Sequence, residues 1–252
     1  MDFTGKVVLI TGGSRGIGRA CARQFAERGA RVAMNYRANR QAAEKTLNSL
    51  PGGPHEIFQA DLADPESTAK MVETVFQKMG RIDVLVNSAG IYELHDVTKL
   101  NFEGWGKAWE RTIGINLSGA AHATFSVVQH MMKQGGGRIV NISSRGAFRG
   151  EPHAPAYGAS KAGLNAFSQS LAQILAPHKI YVYAVAPGFV DTDMAAEPLN
   201  GPLADQIRKE SPMGRVATAE EVARAVVFLA AEGSEYMTGC ILDINGASYL
   251  RT

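Results

Sequence analysis

Seven short apolar runs rich in β-branched residues punctuate this chain: VVLIT (7–11), RVAMNY (31–36), HEIFQA (55–60), IDVLVN (82–87), RIVNIS (138–143), IYVYAVA (180–186) and CILDI (240–244). Stretches of helical periodicity separate them, at about 16–28, 40–50, 65–79, 102–133, 156–177 and 219–231. A strand that is apolar along its whole length has no face to offer water, so it belongs inside a sheet covered on both sides. Alternation with helices then requires parallel strands joined by helical crossovers. No linker, composition shift or internal repeat divides the sequence. The expectation is a single doubly wound α/β domain over residues 1–252, with about seven strands and helices on both faces.

In such sheets ligands bind beyond the carboxyl ends of the strands. That places the chemistry at 11–18, 35–37, 61–62, 87–90, 143–144 and 187–192. The first of these ends reads TGGSRGIG, leaving a strand and opening a helix. Glycine lets the backbone turn sharply and approach a pyrophosphate, while a helix N-terminus supplies N–H groups and positive dipole. Gly12, Gly16 and Gly18 are spaced G-x-x-x-G-x-G, with Ser14, Arg15 and Ile17 between and beside them. The context is the one a dinucleotide site requires.

The bulk numbers exclude other classes. Net charge is +2, and basic and acidic residues are interspersed, so no basic stripe asks for nucleic acid or a membrane surface. Cys21 and Cys240 lie too far apart in sequence for a disulfide framework or a metal spacing. No metal is expected. The uncharged run 112–132 carries Asn116, Ser118, His122, Thr124, Ser126, Gln129 and His130, which argues against hydrocarbon as its solvent. The N-terminus shows no signal-peptide pattern, and a cytoplasmic location is expected.

TGGSRGIG, NSAG (87–90), Asn116, Ser144 thirteen residues before Tyr157, YGASK (157–161) and PG (187–188) occur in this order. The ordered set resembles the short-chain dehydrogenase/reductase family over essentially the whole sequence. The pattern is close to that of its 3-oxoacyl-(acyl-carrier-protein) reductases. The resemblance implies a Rossmann-type fold and hydride transfer between a nicotinamide cofactor and a carbonyl or alcohol. It implies Asn116, Ser144, Tyr157 and Lys161 as the catalytic set. Asn116 would hold a water linking Lys161 to solvent, and Lys161 would also hold the nicotinamide ribose. Around the cofactor it places Asp61 at the adenine amino group with Leu62 beside the ring. Asn87, Ala89 and Gly90 would lie by the ribose, and Pro187, Gly188, Val190 and Thr192 near the carboxamide. Asp61 reads equally as a cap for the helix that follows. Ser88 stands where the family has a second asparagine.

The end of the second strand decides the cofactor. The acidic position that accepts ribose hydroxyls in NAD-preferring sites falls on Tyr36, and Arg37 follows. A guanidinium forms forked, charge-assisted contacts with a 2′-phosphate, which a carboxylate would repel. With Arg15 on the other side, NADP(H) is favoured over NAD(H). Tyr157 and Lys161, one helical turn apart, then have a task. A free phenol titrates near ~10, and a nearby ammonium is expected to lower that value and favour the phenolate. Ser144 can donate to the substrate oxygen. Arg145, Arg149, Glu151 and His153 fall between Ser144 and Tyr157, a polar stretch suited either to a hydroxylated or anionic substrate or to solvent.

Segment 187–215, rich in Gly and Pro, is a candidate lid. The helices at 102–133 and 156–177 carry long uncharged stretches, which suggests contact on both sides. By resemblance they build a homotetramer. The leading function is reduction of a small carbonyl compound or oxidation of its alcohol. The alternatives are an acyl-carrier-protein substrate, a sugar or polyol, or a cofactor-binding regulatory role. The basic residues with which such reductases dock an acidic carrier align with Gly135 and His178, which weakens the carrier reading.

Overall fold

The computed structural model describes residues 1–251. Its elements in chain order begin with β1 (Val7–Thr11), α1 (Gly16–Ala26), β2 (Arg31–Tyr36), α2 (Arg40–Asn48), β3 (Glu56–Gln59), α3 (Pro65–Met79) and β4 (Val84–Asn87). There follow α4 (Phe102–Ile113), a π-helical turn (Gly114–Ser118), α5 (Gly119–Gln134), β5 (Gly137–Ile142), α6 (Gly146–Arg149), α7 (Pro155–Leu175) and β6 (Ile180–Pro187). The chain closes with β7 (Val190–Asp191), α8 (Ala196–Asn200), α9 (Ala204–Lys209), β8 (Ala217–Thr218), α10 (Ala219–Leu229) and β9 (Ile241–Ile244). Seven strands form one parallel sheet in the order β3-β2-β1-β4-β5-β6-β9. The expected Rossmann-type fold is therefore the observed one.

The two faces of the sheet explain why the strands lack alternation. One core packs Val8, Ile10, Val32, Met34, Val140 and Val185 against α1 and α10. The opposite core packs Val7, Leu9, Leu85, Ile139 and Val182 against α3, α5 and α7. Adjacent residues of one strand thus feed different cores, and all five residues of β1 are buried. The order reverses between β1 and β4, which opens the crevice where a ligand is received.

Local signals mark several ends correctly. Asp64 accepts from the Glu66 N–H (3.0 Å) and Pro65 opens α3, so Asp64 rather than Asp61 is the cap. Thr218 and Glu221 form a reciprocal capping box on α10. The single helix expected at 102–133 runs without interruption from Phe102 to Gln134, with one π turn inside it. Gly114 and Gly119 bracket this turn, which carries Asn116. The irregular stretch expected at 187–215 contains the short strand β7 and two short helices, α8 and α9.

Candidate active site

The glycine loop is shaped by contacts that leave no room for side chains. Gly12 has φ of +65°, and a methyl there would lie 2.8 Å from Ala89 Cα. One on Gly18 would lie 2.3 Å from the Gly12 carbonyl oxygen, so α1 closes directly onto the turn. Asn35 secures the loop from β2, its side-chain oxygen accepting from Gly12 N–H (3.3 Å) and its carbonyl from Gly13 N–H (3.0 Å). Thr11 Oγ1 accepts from Ser88 and Ala89 N–H (3.1 and 3.2 Å), which ties the loop to the end of β4. Helix α1 begins at Arg15 with no side-chain cap and no acid in its first turn. A helix start without a carboxylate, cradled by glycines, fits a bound pyrophosphate. Thr192 rests its methyl against Gly16, bringing the start of the 187–215 segment onto the loop.

Around the outer end of this crevice Tyr36 is buried while Arg15 and Arg37 are exposed. Arg40, which no sequence motif marks, joins them at the start of α2. It pairs with Glu44 (2.8 Å) and stands beside Tyr36. Asp61 is exposed and accepts from Ala63 N–H (3.0 Å). Leu62 is buried, with its side chain and carbonyl against Gly119. Asn87 turns into a buried polar network, donating to Thr124 (3.0 Å) and Asn141 (2.8 Å), while Asn141 donates to Ser168 (2.8 Å). Val190 is likewise a core residue. Leu62, Asn87 and Val190 thus shape the crevice by packing beneath it. Ala89 and Gly90 are partly open. Pro187 accepts from Arg145 N–H (2.9 Å), and Gly188 N–H donates to Ile244 (3.1 Å).

Ser144, Tyr157, Lys161 and Asn116 converge at the ends of β4 and β5. Lys161 is buried and donates to the Ile142 carbonyl (2.8 Å). Asn116 bridges the crevice, accepting from Ile91 N–H (2.8 Å) and donating to the Ile91 carbonyl (3.0 Å) and to Ser160 (3.2 Å). The π turn is what aims it there, since one extra residue per turn rotates the side chain off the regular helix face. Gly90 separates Asn116 from Lys161. A methyl on it would lie 3.4 Å from Asn116 Oδ1 and 3.6 Å from Lys161 Nζ. Ser144 Oγ accepts from Gly146 N–H (3.0 Å) and stands close enough to Tyr157 to favour its phenolate by hydrogen bonding. Tyr92 meets Tyr157 edge-on, with ring centroids 5.0 Å apart.

The electrostatics bear on one expectation. Burial pushes Tyr157 up to about 12, the nearby Ser144 hydroxyl opposes this, and the charge on Glu151 adds to it. Burial also pushes Lys161 down to about 8. Lys161 Nζ stands over the Tyr157 ring, 5.6 Å from its centroid. Burial therefore acts on the phenol against the activation expected from the ammonium.

Three features had no signal short enough to read in sequence. The start of α7, which carries Tyr157, has no side-chain cap of its own, and His95 Nε2 accepts from Ala156 N–H (2.9 Å) instead. Its other ring nitrogen bonds the Glu93 carbonyl (2.8 Å), which makes Nδ1 the protonated one. Arg145 is buried rather than solvated. It donates to Glu210 at the end of α9 and to Ser248 (2.6 Å), and Arg149 approaches the same carboxylate at 3.7 Å. A cavity of about 240 Å³ adjoins this pair, lined by Arg145 and Glu210 together with Phe189, Ser211, Met213 and Asn245. His153 is exposed, 3.9 Å from Asp96. Among the described residues no group of acidic, histidine or cysteine side chains forms a metal site, and no helix is long and apolar enough to cross a membrane.

A family model described as enoyl-(acyl carrier protein) reductase matches residues 12–247. The chain is 38% identical to the 3-oxoacyl-(acyl-carrier-protein) reductase of Aquifex aeolicus, over 99% of both chains. It is 39% identical to that of Thermotoga maritima, over 98% of both. A short-chain dehydrogenase/reductase of Serratia marcescens, solved as a mutant, superposes with a TM-score of 0.90 at 34% identity, covering 98% of this chain and 99% of that one. A dehydrogenase/reductase of Sinorhizobium meliloti gives 0.91 at 31%, covering 99% and 97%.

Proposed function

The chain belongs to the short-chain dehydrogenase/reductase family and is an oxidoreductase of that family, and from that premise we propose that it reduces a ketone or aldehyde with NADPH. The observation that carries this reading is the convergence of Ser144, Tyr157, Lys161 and Asn116 beside an uncapped glycine-cradled helix start. When bound, the reduced nicotinamide supplies a hydride to the carbonyl carbon. Ser144 holds the carbonyl oxygen through its hydroxyl. Tyr157 gives its proton to that oxygen as negative charge grows there. A phenol held near 12 is fully protonated at neutral pH and remains more acidic than an alkoxide's conjugate acid, so it is an acid in waiting. Lys161 and Asn116 flank Gly90 and return a proton towards Tyr157. The exposed Arg15 and Arg37 receive the 2′-phosphate, where an NAD site would carry an acid. Ser14, Gly16, Ile17 and Gly18 hold the pyrophosphate through backbone N–H groups, and Gly12 provides the turn that lets it approach.

We assign residues 1–252 to one cofactor-binding domain whose 187–215 segment closes over the substrate. A homotetramer fits the large apolar side chains that α4, α5 and α7 leave exposed, and we assign the protein to the cytoplasm. Phe102, Phe125 and Ile174 are 91%, 68% and 67% accessible. Tyr157→Phe is expected to bind NADPH with unchanged affinity and to lose turnover by at least about a hundredfold, the scale of general acid catalysis. Turnover close to that of the parent would overturn the assignment. The second reading, reduction of a 3-oxoacyl thioester on a carrier protein, is favoured by the curated relatives. Gly135 and His178 stand against it, because neither offers a fixed positive charge to an acidic carrier.

A further inference from the structure

Glu151 lies in the turn between α6 and α7, midway between Ser144 and Tyr157 in sequence, and it packs between Gly146 and Gly158, the close neighbours of those two residues. Its carboxylate rests on Gly146. A methyl on that glycine would lie 2.4 Å from Glu151 Oε1, and Gly146 N–H is the group bonded to Ser144 Oγ. Gly158, the residue after Tyr157, faces it from the other side. A methyl there would meet the Glu151 backbone nitrogen at 3.4 Å and its Cβ at 3.8 Å. Two glycines thus make room for this one side chain. Burial raises the Glu151 carboxyl above its ordinary range, and its charge in turn raises both Tyr92 and Tyr157.

What is missing around Glu151 is a donor. Among the described residues its carboxylate takes part in no hydrogen bond and no ion pair. Arg145 and Arg149 precede it in sequence and their charges favour its ionised form, yet their ion pairs are made with Glu210. Other half-buried acids in this chain have partners: Glu235 pairs with Arg138 and Asp83 with Arg81. A partly buried carboxylate without a donor is costly, and a ligand that brings one removes that cost. It also repels a negatively charged group that would enter the same space.

We propose that Glu151 is a specificity residue that accepts a hydrogen bond from a hydroxyl group carried by the substrate near its reacting carbonyl. The substrate class is then small hydroxylated ketones or aldehydes, rather than anionic oxo acids or plain acyl chains. The inference rests on the reading of Ser144 and Tyr157 as the site of carbonyl reduction. A site built for a substrate hydroxyl discriminates against its absence far more than an apolar pocket does.

The probes are 3-hydroxy-2-butanone and 2-butanone, assayed with NADPH on the full chain, its Tyr157→Phe variant, Glu151→Leu and Glu151→Gln. The readout is the ratio of kcat/KM for the hydroxyketone to that for the plain ketone, which cancels general damage to the site. NADPH affinity reports that each variant is folded. The ratio is expected to fall by roughly tenfold or more in Glu151→Leu, through KM of the hydroxyketone, and by less in Glu151→Gln, which keeps an acceptor. A ratio that Glu151→Leu leaves within about twofold, with Tyr157→Phe inactive, overturns the inference alone. Activity that survives Tyr157→Phe overturns the reading beneath it.

Discussion

Removing the Glu210 carboxylate tests how the substrate segment is held to the site. Arg145 follows Ser144 directly, and its side chain is only 3% exposed. Its guanidinium has three supports: Glu210 beyond α9, Ser248 at 2.6 Å, and the Phe189 ring, whose centroid is 5.2 Å from its central carbon. Deleting one partner of a buried ion pair costs about 3–5 kcal/mol, because the other charge is left uncompensated. Here the carboxylate is 28% exposed and two supports remain, so Glu210→Ala is expected to cost about 2 kcal/mol. That loss should concentrate in the segment from α8 to β8, since the pair is what fastens it to the end of β5.

The assay is a double-mutant cycle. Arg145→Met, Glu210→Ala and the pair together are compared by urea unfolding and by the rate of limited proteolysis between residues 187 and 215. The double variant buries no unpaired charge, so it is expected to be more stable than the sum of the singles by about 1–2 kcal/mol. Proteolysis is expected to accelerate in Glu210→Ala and to recover partly in the double variant. Additivity within about 0.5 kcal/mol would refute the reasoning, because independent sites add to that tolerance.

Two further outcomes follow from buried groups. Lys161 is held near 8, so its charge is complete below that pH and is lost above it; NADPH affinity, followed by nicotinamide fluorescence, is expected to weaken as pH rises from about 7 to about 9.5, and a flat profile would contradict it. Cys21 is fully buried, with its thiol pushed up to about 12, so a thiol reagent should leave it untouched in the native chain and find it only after unfolding, whereas rapid native labelling of Cys21 would contradict its burial.

The parts of this fold that could be read in sequence are those with short-range causes. Strands β1, β2 and β6 announce themselves because both of their faces are buried, and Asp64-Pro65 marks the start of α3 through a cap and a fixed φ. The glycine loop is legible because close backbone approaches at Gly12 and Gly18 exclude a Cβ. The π turn at Asn116 is not legible, since its hydrogen-bond shift leaves the apolar pattern of a long helix intact. Nor is the Arg145 pair, whose carboxylate arrives from 65 residues away. The protonation of Tyr157 escapes a sequence reading for the same reason. Spacing on a helix gives the distance to Lys161, but the apolar surroundings that decide the balance come from the whole fold.

Those surroundings act on the proton that the reaction moves. Reduction asks Tyr157 to be an acid, and oxidation asks it to be a base. Burial favours its protonated form, and the charge on Glu151 adds to that against the nearby Ser144 hydroxyl. A neutral residue at 151 removes part of that preference, so the Tyr157 pKa falls. Lys161 and Tyr92 face the phenol as well, but the substitution alters neither, so the change isolates the carboxylate. Alcohol oxidation needs the phenolate and therefore switches on as pH rises through the Tyr157 pKa. In Glu151→Gln the rising limb of kcat for oxidation is expected to move to lower pH, while reduction at neutral pH is still served by a protonated phenol. A limb that stays in place, or moves to higher pH, would mean that Glu151 does not act on Tyr157 through its charge, whatever its part in choosing the substrate.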